Sequence, residues 1–198
     1  MPAPKQLWLL AGGNGAGKST FHRLFLQPRG VQFVNADLIA KALNPSDPEG
    51  SSYDASVIAG HIREELLEHG ISFCFETVFS HPGKIDFVAY AKSLGYEIIL
   101  VMIHLQTPEL NQARVAQRVS EGGHHVPTEK ILSRLPRTLA NVRAALPLAN
   151  QARLLDNSSR DRPFQAIATL RDGQLEDCAD PLPTWAMELL TDYLAQNP

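Results

Sequence analysis

A glycine-rich run near the amino terminus contains the residues best suited to chemistry. The run consists of Gly12, Gly13, Asn14, Gly15, Ala16, Gly17, Lys18, Ser19 and Thr20. Its first eight residues match the pattern G-x-x-x-x-G-K-[ST], whose glycines let successive backbone N–H groups face phosphate oxygens. We therefore predict a nucleoside triphosphate site in which Lys18 reaches the β- and γ-phosphates and the Ser19 hydroxyl coordinates Mg²⁺. Thr20 follows in the first helical turn, where its N–H and hydroxyl can meet the α-phosphate.

Several protein classes share this loop, and the rest of the sequence favours the small-molecule kinases. A guanine-reading N-K-x-D motif, which a GTPase needs, does not occur in the sequence. Motors and transporter ATPases usually have an apolar strand that ends in an acidic residue. The best apolar strand, Ile98 to Leu105, runs instead into Gln106-Thr107-Pro108. The third strand does end in Glu76, but Thr77 and an apolar pair follow it, so a motor is the weaker alternative.

A carboxylate follows the second predicted strand, where a small-molecule kinase needs one. Asn35-Ala36-Asp37 stands at the end of this strand, on the edge where parallel sheets bind ligands. A carboxylate in this position can accept the proton of an attacking hydroxyl group. Asp37 is therefore a candidate general base, and a ligand of Mg²⁺ is the alternative role.

Four arginines are arranged as a phosphate clamp would require. Arg114 and Arg118 lie four residues apart on one predicted helix, and Arg134 and Arg137 lie three apart on the next. The connection between these helices, residues 122–127, is glycine-rich and predicted to be flexible and exposed. Guanidinium groups on both sides of a hinge can close on a phosphoryl group. We predict an arginine-bearing lid over residues 109–145.

Strand and helix patterns alternate along most of the chain. Strands are predicted near residues 7–11, 31–34, 71–75, 96–105 and 152–155, and helices near 18–27, 36–43, 53–69, 84–94, 109–121 and 128–145. A hairpin that turns at Asp172-Gly173 (residues 164–178) and a final helix from Pro183 end the chain. Strands separated by helices indicate a parallel sheet covered on both faces. We predict an α/β fold of the P-loop NTPase or kinase type, with about five parallel strands in a single domain, 1–198.

Composition narrows the function classes further. The 198 residues are 44% hydrophobic and 20% charged, which excludes a disordered chain. A net charge of −3 argues against a nucleic-acid binder, and the longest apolar run is far too short to cross a membrane. Cys74 and Cys178 are distant in sequence and lack metal-ligand spacing, so a reduced, cytoplasmic location is expected.

Five segments together resemble the zeta-toxin family of P-loop kinases. They are the loop from Gly12 to Thr20, Asn35-Ala36-Asp37, Phe75-Glu76-Thr77, the arginine-bearing segment, and Leu155-Asp156-Asn157-Ser158. The segments occur in the family's order and span roughly residues 5 to 160. Only the loop is specific when taken alone, whereas the ordered series is much more specific.

The resemblance implies a kinase that uses ATP or GTP with Mg²⁺ to phosphorylate a hydroxyl of UDP-N-acetylglucosamine or a related UDP-sugar. By this resemblance Asp37 would be the catalytic base, and Glu76 and Thr77 would hold the substrate beside it. Arg118 and Arg134 would clamp the phosphate together with Lys18, with Arg114 or Arg137 as substitutes. An antitoxin protein is an expected partner. Two alternatives stay open: a kinase of another nucleoside, sugar or cofactor, and a regulator that hydrolyses ATP slowly and acts through a partner.

Overall fold

Seven strands form one sheet in the computed structural model, which describes residues 4–121 and 126–195. The strands are β1 (Gln6–Ala11), β2 (Gln32–Val34), β3 (Phe73–Thr77), β4 (Glu97–His104), β5 (Gln151–Asp156), β6 (Gln165–Arg171) and β7 (Gln174–Cys178). Their order across the sheet is β2-β3-β1-β4-β5-β6-β7. The first five strands are parallel, as predicted, and β6 and β7 are antiparallel.

Helices follow the strands in the predicted alternation. They are α1 (Lys18–Phe21), α2 (Ala36–Leu43), α3 (Ser52–Glu68), α4 (Gly83–Ser93), α5 (Pro108–Ser120), α6 (Thr128–Ala145) and α7 (Thr184–Leu194). The segment predicted as one helix over 18–27 continues beyond α1 as a π-helical turn, His22–Leu26, and a 3₁₀ turn, Gln27–Arg29. Pro28 is accommodated because it lies at the start of the 3₁₀ turn, where no backbone N–H is needed.

Apolar side chains on both faces of the sheet form the core. Along β1, Leu7 and Leu9 belong to the core on one face, and Trp8 and Leu10 to the core on the other. This alternation is the period of a strand covered on both sides. Within the described residues, no helix is long and apolar enough to span a membrane.

The third strand begins two residues later than the sequence predicts. Gly70 adopts a positive φ of 66° and ends α3, and the Ile71 N–H donates to the Leu66 carbonyl at 2.9 Å. Ile71 therefore closes the helix instead of entering the sheet. Because of this shift, Glu76 and Thr77 are the last residues of β3, and Thr77 lies opposite Ala11, the last residue of β1.

The carboxyl-terminal hairpin is not separate from the sheet but extends it. β6 pairs antiparallel with β5, and β7 pairs with β6. Ile167, Ala168 and Leu170 on β6 are buried in the same core as the parallel strands. Asp172 and Gly173 form the predicted turn with φ values of 46° and 77°. Pairing and shared burial explain why the sheet has seven strands.

We predict that replacing Leu170 with Ala destabilises the whole protein. Leu170 is 3% exposed, and truncation of a buried leucine costs about 2–5 kcal/mol. Leu24→Ala is the control because Leu24 is 51% exposed, so its loss should cost about 0.5 kcal/mol or less. Urea denaturation measures both free energies of unfolding. Equal values for the two variants would show that β6 does not pack into the core.

Candidate active site

The glycine-rich loop turns sharply after β1, and its close contacts exclude side chains at two positions. Gly12 has a φ of 148°, and a Cβ atom there would lie 2.1 Å from the Ile103 carbonyl oxygen. Gly17 has a φ of 103°, and a Cβ atom there would lie 2.4 Å from Asn157 Nδ2. Both positions require glycine, because other residues would suffer backbone strain and overlap. The loop therefore lies directly against β4 and the end of β5.

Two buried asparagines hold the loop from the neighbouring elements. Asn111 on α5 donates from Nδ2 to the Asn14 carbonyl oxygen at 2.6 Å. Asn157, just after β5, donates from Nδ2 to the Ala16 carbonyl oxygen at 2.8 Å. These carbonyls are turned outward to the asparagines, so the loop geometry is fixed before a ligand arrives. Asn111 cannot be predicted from the sequence, since an isolated asparagine within a helix matches no motif.

Lys18 lies buried beneath the loop, with only 5% of its surface exposed. Its Nζ donates to the Gly12 carbonyl at 2.8 Å and the Gly13 carbonyl at 3.0 Å. Burial lowers the pKa of Lys18, the carboxylates of Glu76 and Asp37 oppose this shift, and Arg118 adds to it. The three charged groups named here therefore act electrostatically on the same ammonium. A cation at this depth is poorly solvated and suited to the anionic phosphates of a nucleotide.

Glu76 connects the ends of three elements. Its Oε2 accepts from Ser19 Oγ at 2.6 Å and from Asn35 Nδ2 at 3.0 Å, and its Oε1 lies 4.0 Å from Lys18 Nζ. Asn35 also caps α2, because its Oδ1 accepts from the N–H groups of Asp37 at 2.8 Å and Leu38 at 3.1 Å. This network ties the loop, the end of β3 and the start of α2 together.

The Ser19 hydroxyl and the Glu76 carboxylate are the oxygen donors that fit Mg²⁺. Mg²⁺ usually takes one or two protein oxygens and completes its octahedron with phosphate oxygens and water. No group of three His, Cys, Asp or Glu side chains forms a metal cluster within residues 4–121 and 126–195. A small donor set beside a phosphate site agrees with this preference. The sequence predicted the Ser19 role, and the structure adds Glu76 at hydrogen-bond distance.

Asp37 and Thr77 line the same cleft as Lys18. The volume of this cleft is about 580 Å³. Asp37 is exposed in the first turn of α2. Thr77 is half-buried, and its hydroxyl accepts from the Phe79 N–H at 2.9 Å. Phe79 has a positive φ of 62°, so this hydrogen bond stabilises the turn that leads from β3 into the cleft wall.

Three of the four predicted clamp arginines line the cleft: Arg114, Arg118 and Arg134. Arg114 donates from Nη2 to the Asn157 carbonyl at 2.6 Å, so part of its function is to hold the segment after β5. Arg137 is exposed, does not line the cleft, and donates from Nε to Ser133 of its own helix. The glycines and histidines of the predicted hinge, residues 122–125, lie outside the described residues.

Arg63 on α3 and Lys84 on α4 also line the cleft. Neither residue is marked as functional by the sequence. Each is a single basic residue in an ordinary helix pattern, and their proximity depends on how α3 and α4 pack against β3. No local signal could have found them.

A sequence model of one family, described as Zeta toxin, matches residues 2–159. An uncharacterized protein of Haemophilus influenzae is 32% identical in an alignment 129 residues long, which covers 62% of this chain and 91% of that protein. The range matched by the family model contains every residue of the phosphate-binding loop, together with Asp37, Glu76 and the lid arginines.

Three solved structures share the fold at low sequence identity. The AvrRxo1-ORF1:AvrRxo1-ORF2 complex with ATP contains a chain that is 19% identical, with a TM-score of 0.71 over 97% of this chain and 64% of that one. A structure from the PezAT chromosomal toxin–antitoxin system of Streptococcus pneumoniae is 17% identical, with a TM-score of 0.62 over 96% of this chain and 78% of that one. Shikimate kinase from Acinetobacter baumannii is 17% identical, with a TM-score of 0.50 over 78% of this chain and 85% of that one. The present chain thus spans less than two thirds of the AvrRxo1 chain.

The structural likenesses establish a P-loop kinase fold, and the family model covers most of the sequence, including its phosphate-binding loop. On these grounds the chain belongs to the zeta-toxin family.

Proposed function

We propose that this protein is an ATP-dependent kinase that transfers the γ-phosphoryl group to a hydroxyl of a UDP-sugar such as UDP-N-acetylglucosamine. One observation carries the proposal: the exposed Asp37 carboxylate shares a cleft with the buried Lys18 ammonium and the lid arginines. A base for a hydroxyl and cations for a phosphoryl group are the two requirements of this transfer. Membership of the zeta-toxin family supports the UDP-sugar as acceptor.

The donor nucleotide, ATP or GTP, would lie with its phosphates in the loop. Backbone N–H groups from Gly12 to Thr20 would surround the phosphates, and Lys18 would exchange its two loop carbonyls for β- and γ-oxygens. The ATP present in the AvrRxo1 complex supports nucleotide binding on this fold. Ser19 and Glu76 would hold Mg²⁺, which when bound neutralises charge on the β- and γ-phosphates.

Asp37 would act as general base during the transfer. As the acceptor oxygen bonds to the γ-phosphorus, its proton moves to the Asp37 carboxylate and the bond from phosphorus to the β,γ-bridging oxygen breaks. ADP, or GDP, leaves with that oxygen. Glu76 and Thr77 would position the acceptor, and Arg118 and Arg134 would stabilise the charge on the transferred group.

A broader acceptor range is the first alternative, because Asp37 would serve the hydroxyl of another nucleoside, sugar or cofactor equally well. A slow ATPase that regulates a partner is the second, and transfer to a small hydroxyl distinguishes it from a kinase.

An antitoxin partner is also proposed, since the PezAT relative comes from a toxin–antitoxin system. Residues 1–198 are proposed to act as one domain, in the cytoplasm, where Cys74 and Cys178 would remain free thiols.

Lys18→Ala should lower transfer by about 10²- to 10³-fold, the usual loss when one donor to developing charge is removed. Lys41→Ala is the matched control, because Lys41 is exposed on α2 and outside the cleft. Release of ADP from ATP measures both variants. Turnover near the wild-type value in Lys18→Ala would place the nucleotide site elsewhere.

Arg118→Ala and Arg134→Ala should each reduce kcat more than they change KM for ATP. An arginine at the transferred phosphoryl group contributes about 10³- to 10⁵-fold in other enzymes of this chemistry. Arg137→Ala should leave kcat unchanged, since Arg137 does not line the cleft and bonds to Ser133 of its own helix. Steady-state kinetics with all three variants make the comparison. A loss confined to Arg137→Ala would refute the proposed clamp.

Asp37→Asn tests the proposed function most closely, because it keeps the shape of the side chain and removes its basicity. Transfer to UDP-N-acetylglucosamine should fall by about 10²- to 10⁴-fold while ATP affinity stays constant. Asp54→Asn, an exposed position outside the cleft, is the control. Radiolabel transfer and calorimetry give the two quantities. Weaker ATP binding and altered metal dependence would make Asp37 a Mg²⁺ ligand, and full transfer would remove it from the mechanism.

A further inference from the structure

Arg63 is held on an aromatic pair at the edge of the cleft. Its guanidinium carbon lies 5.3 Å from the centre of the Phe75 ring and 5.4 Å from that of Phe87, and the two rings meet edge to face. Its Nε is buried and has no hydrogen-bond partner among the described residues. Burial lowers the pKa of Arg63, and Glu64 opposes the shift. The aromatic rings orient the guanidinium group but leave a donor unsatisfied.

Lys84 places a second cation beside the first. It is half-buried near the start of α4, and burial together with the charge of Arg63 lowers its pKa to about 8. Over residues 4–121 and 126–195, no carboxylate lies within 4.0 Å of either cationic group. Two neighbouring like charges that lack an anion are costly to the fold, and such pairs are typical of ligand sites.

Sheet order places this pair on the β3 side of the phosphate-binding loop and helix α5 on the β4 side. The phosphate-binding loop follows β1, whose neighbours are β3 on one side and β4 on the other. Arg63 contacts Phe75 of β3, and Lys84 lies on the helix that follows β3. The lid residues Arg114 and Arg118 lie on the helix that follows β4. The Arg63–Lys84 pair and the α5 arginines therefore lie on opposite sides of the loop, and α3, which carries Arg63, packs against α2, which carries Asp37.

A purely structural role accounts for the pair less well. Stacking on Phe75 and Phe87 explains why an arginine packs at position 63, but a hydrophobic residue would pack there without an unpaired Nε. It also gives no reason for a second cation at position 84. An anion between the two cations would neutralise both charges.

We propose that Arg63 and Lys84 form the site that binds a phosphate or diphosphate group of the acceptor, and so select phosphorylated acceptors over free sugars and nucleosides. This inference rests on the proposed function, since it assigns the acceptor side of the same cleft. The guanidinium fork would take two oxygens, and the Lys84 ammonium would take a third. The charge on the acceptor, rather than its base or sugar, is what the pair recognises.

The test measures acceptor binding with the nucleotide site already filled. Wild-type protein saturated with Mg²⁺ and a non-hydrolysable ATP analogue is titrated by calorimetry with pyrophosphate, UDP and free N-acetylglucosamine. The variants are Arg63→Gln and Lys84→Gln, each of which removes one charge. Lys41→Gln removes one charge from an exposed position outside the cleft and is the control. Thermal melting shows whether each variant is folded. If Arg63→Gln does not fold, Lys84→Gln alone provides the test.

Each of the two diphosphates, pyrophosphate and UDP, should bind the wild type and the Lys41→Gln control with the same affinity. Free N-acetylglucosamine should bind both proteins far more weakly. Each charge removed should weaken diphosphate binding about 10- to 150-fold, the loss expected for a hydrogen bond to a charged group. Equal affinities in the wild type and Lys84→Gln, or no binding of either diphosphate by the wild type, would overturn the inference. Diphosphate binding by the pair without phosphorylation of any acceptor would contradict the proposed function alone.

Discussion

The burial of the Lys18 ammonium is the constraint on which the rest of this structure depends. A cation with 5% exposure must be compensated, and here two loop carbonyls and the nearby Glu76 do so. Those carbonyls can turn toward Nζ only because the loop doubles back at Gly12, where a side chain would overlap β4. The folded protein thus carries a preformed site for negative charge, which triphosphate oxygens can complete.

Glu76 connects the loop above Lys18 to the part of the cleft that contains Asp37. Its two hydrogen bonds join Ser19 of the loop to Asn35, and Asn35 in turn fixes the first turn of α2, where Asp37 lies. Ser19 of the loop and the first turn of α2, where Asp37 lies, are therefore positioned by one polar network at the ends of β1, β2 and β3. Rigid placement of this kind is how an enzyme can lower the entropic cost of bringing two substrates together.

The sequence alone predicted the local features and missed those that depend on distant packing. Helices α2 and α6 have the predicted bounds, because helix-favouring residues and the loops that flank them are local signals. The shift of β3 arises from a helix-ending turn at Gly70, and the hairpin joins the sheet only through pairing with β5. The phosphate-binding loop is recognisable as a motif. Asn111, Arg63 and Lys84 are single residues that reach the cleft through tertiary packing, and no pattern within one segment marks them.

The charged side chains of the cleft come from different elements. Lys18 and the lid arginines Arg114, Arg118 and Arg134 are proposed to bind the phosphoryl donor, and Arg63 and Lys84 the acceptor; all of them line the same cleft as Asp37 and Glu76. The central claim is that this cleft joins a phosphoryl group to a hydroxyl. Mass spectrometry of wild-type protein incubated with ATP, Mg²⁺ and UDP-N-acetylglucosamine tests it most directly. We predict a sugar nucleotide with one added phosphoryl group, formed in step with ADP. Production of ADP and free phosphate without any phosphorylated acceptor would contradict this function.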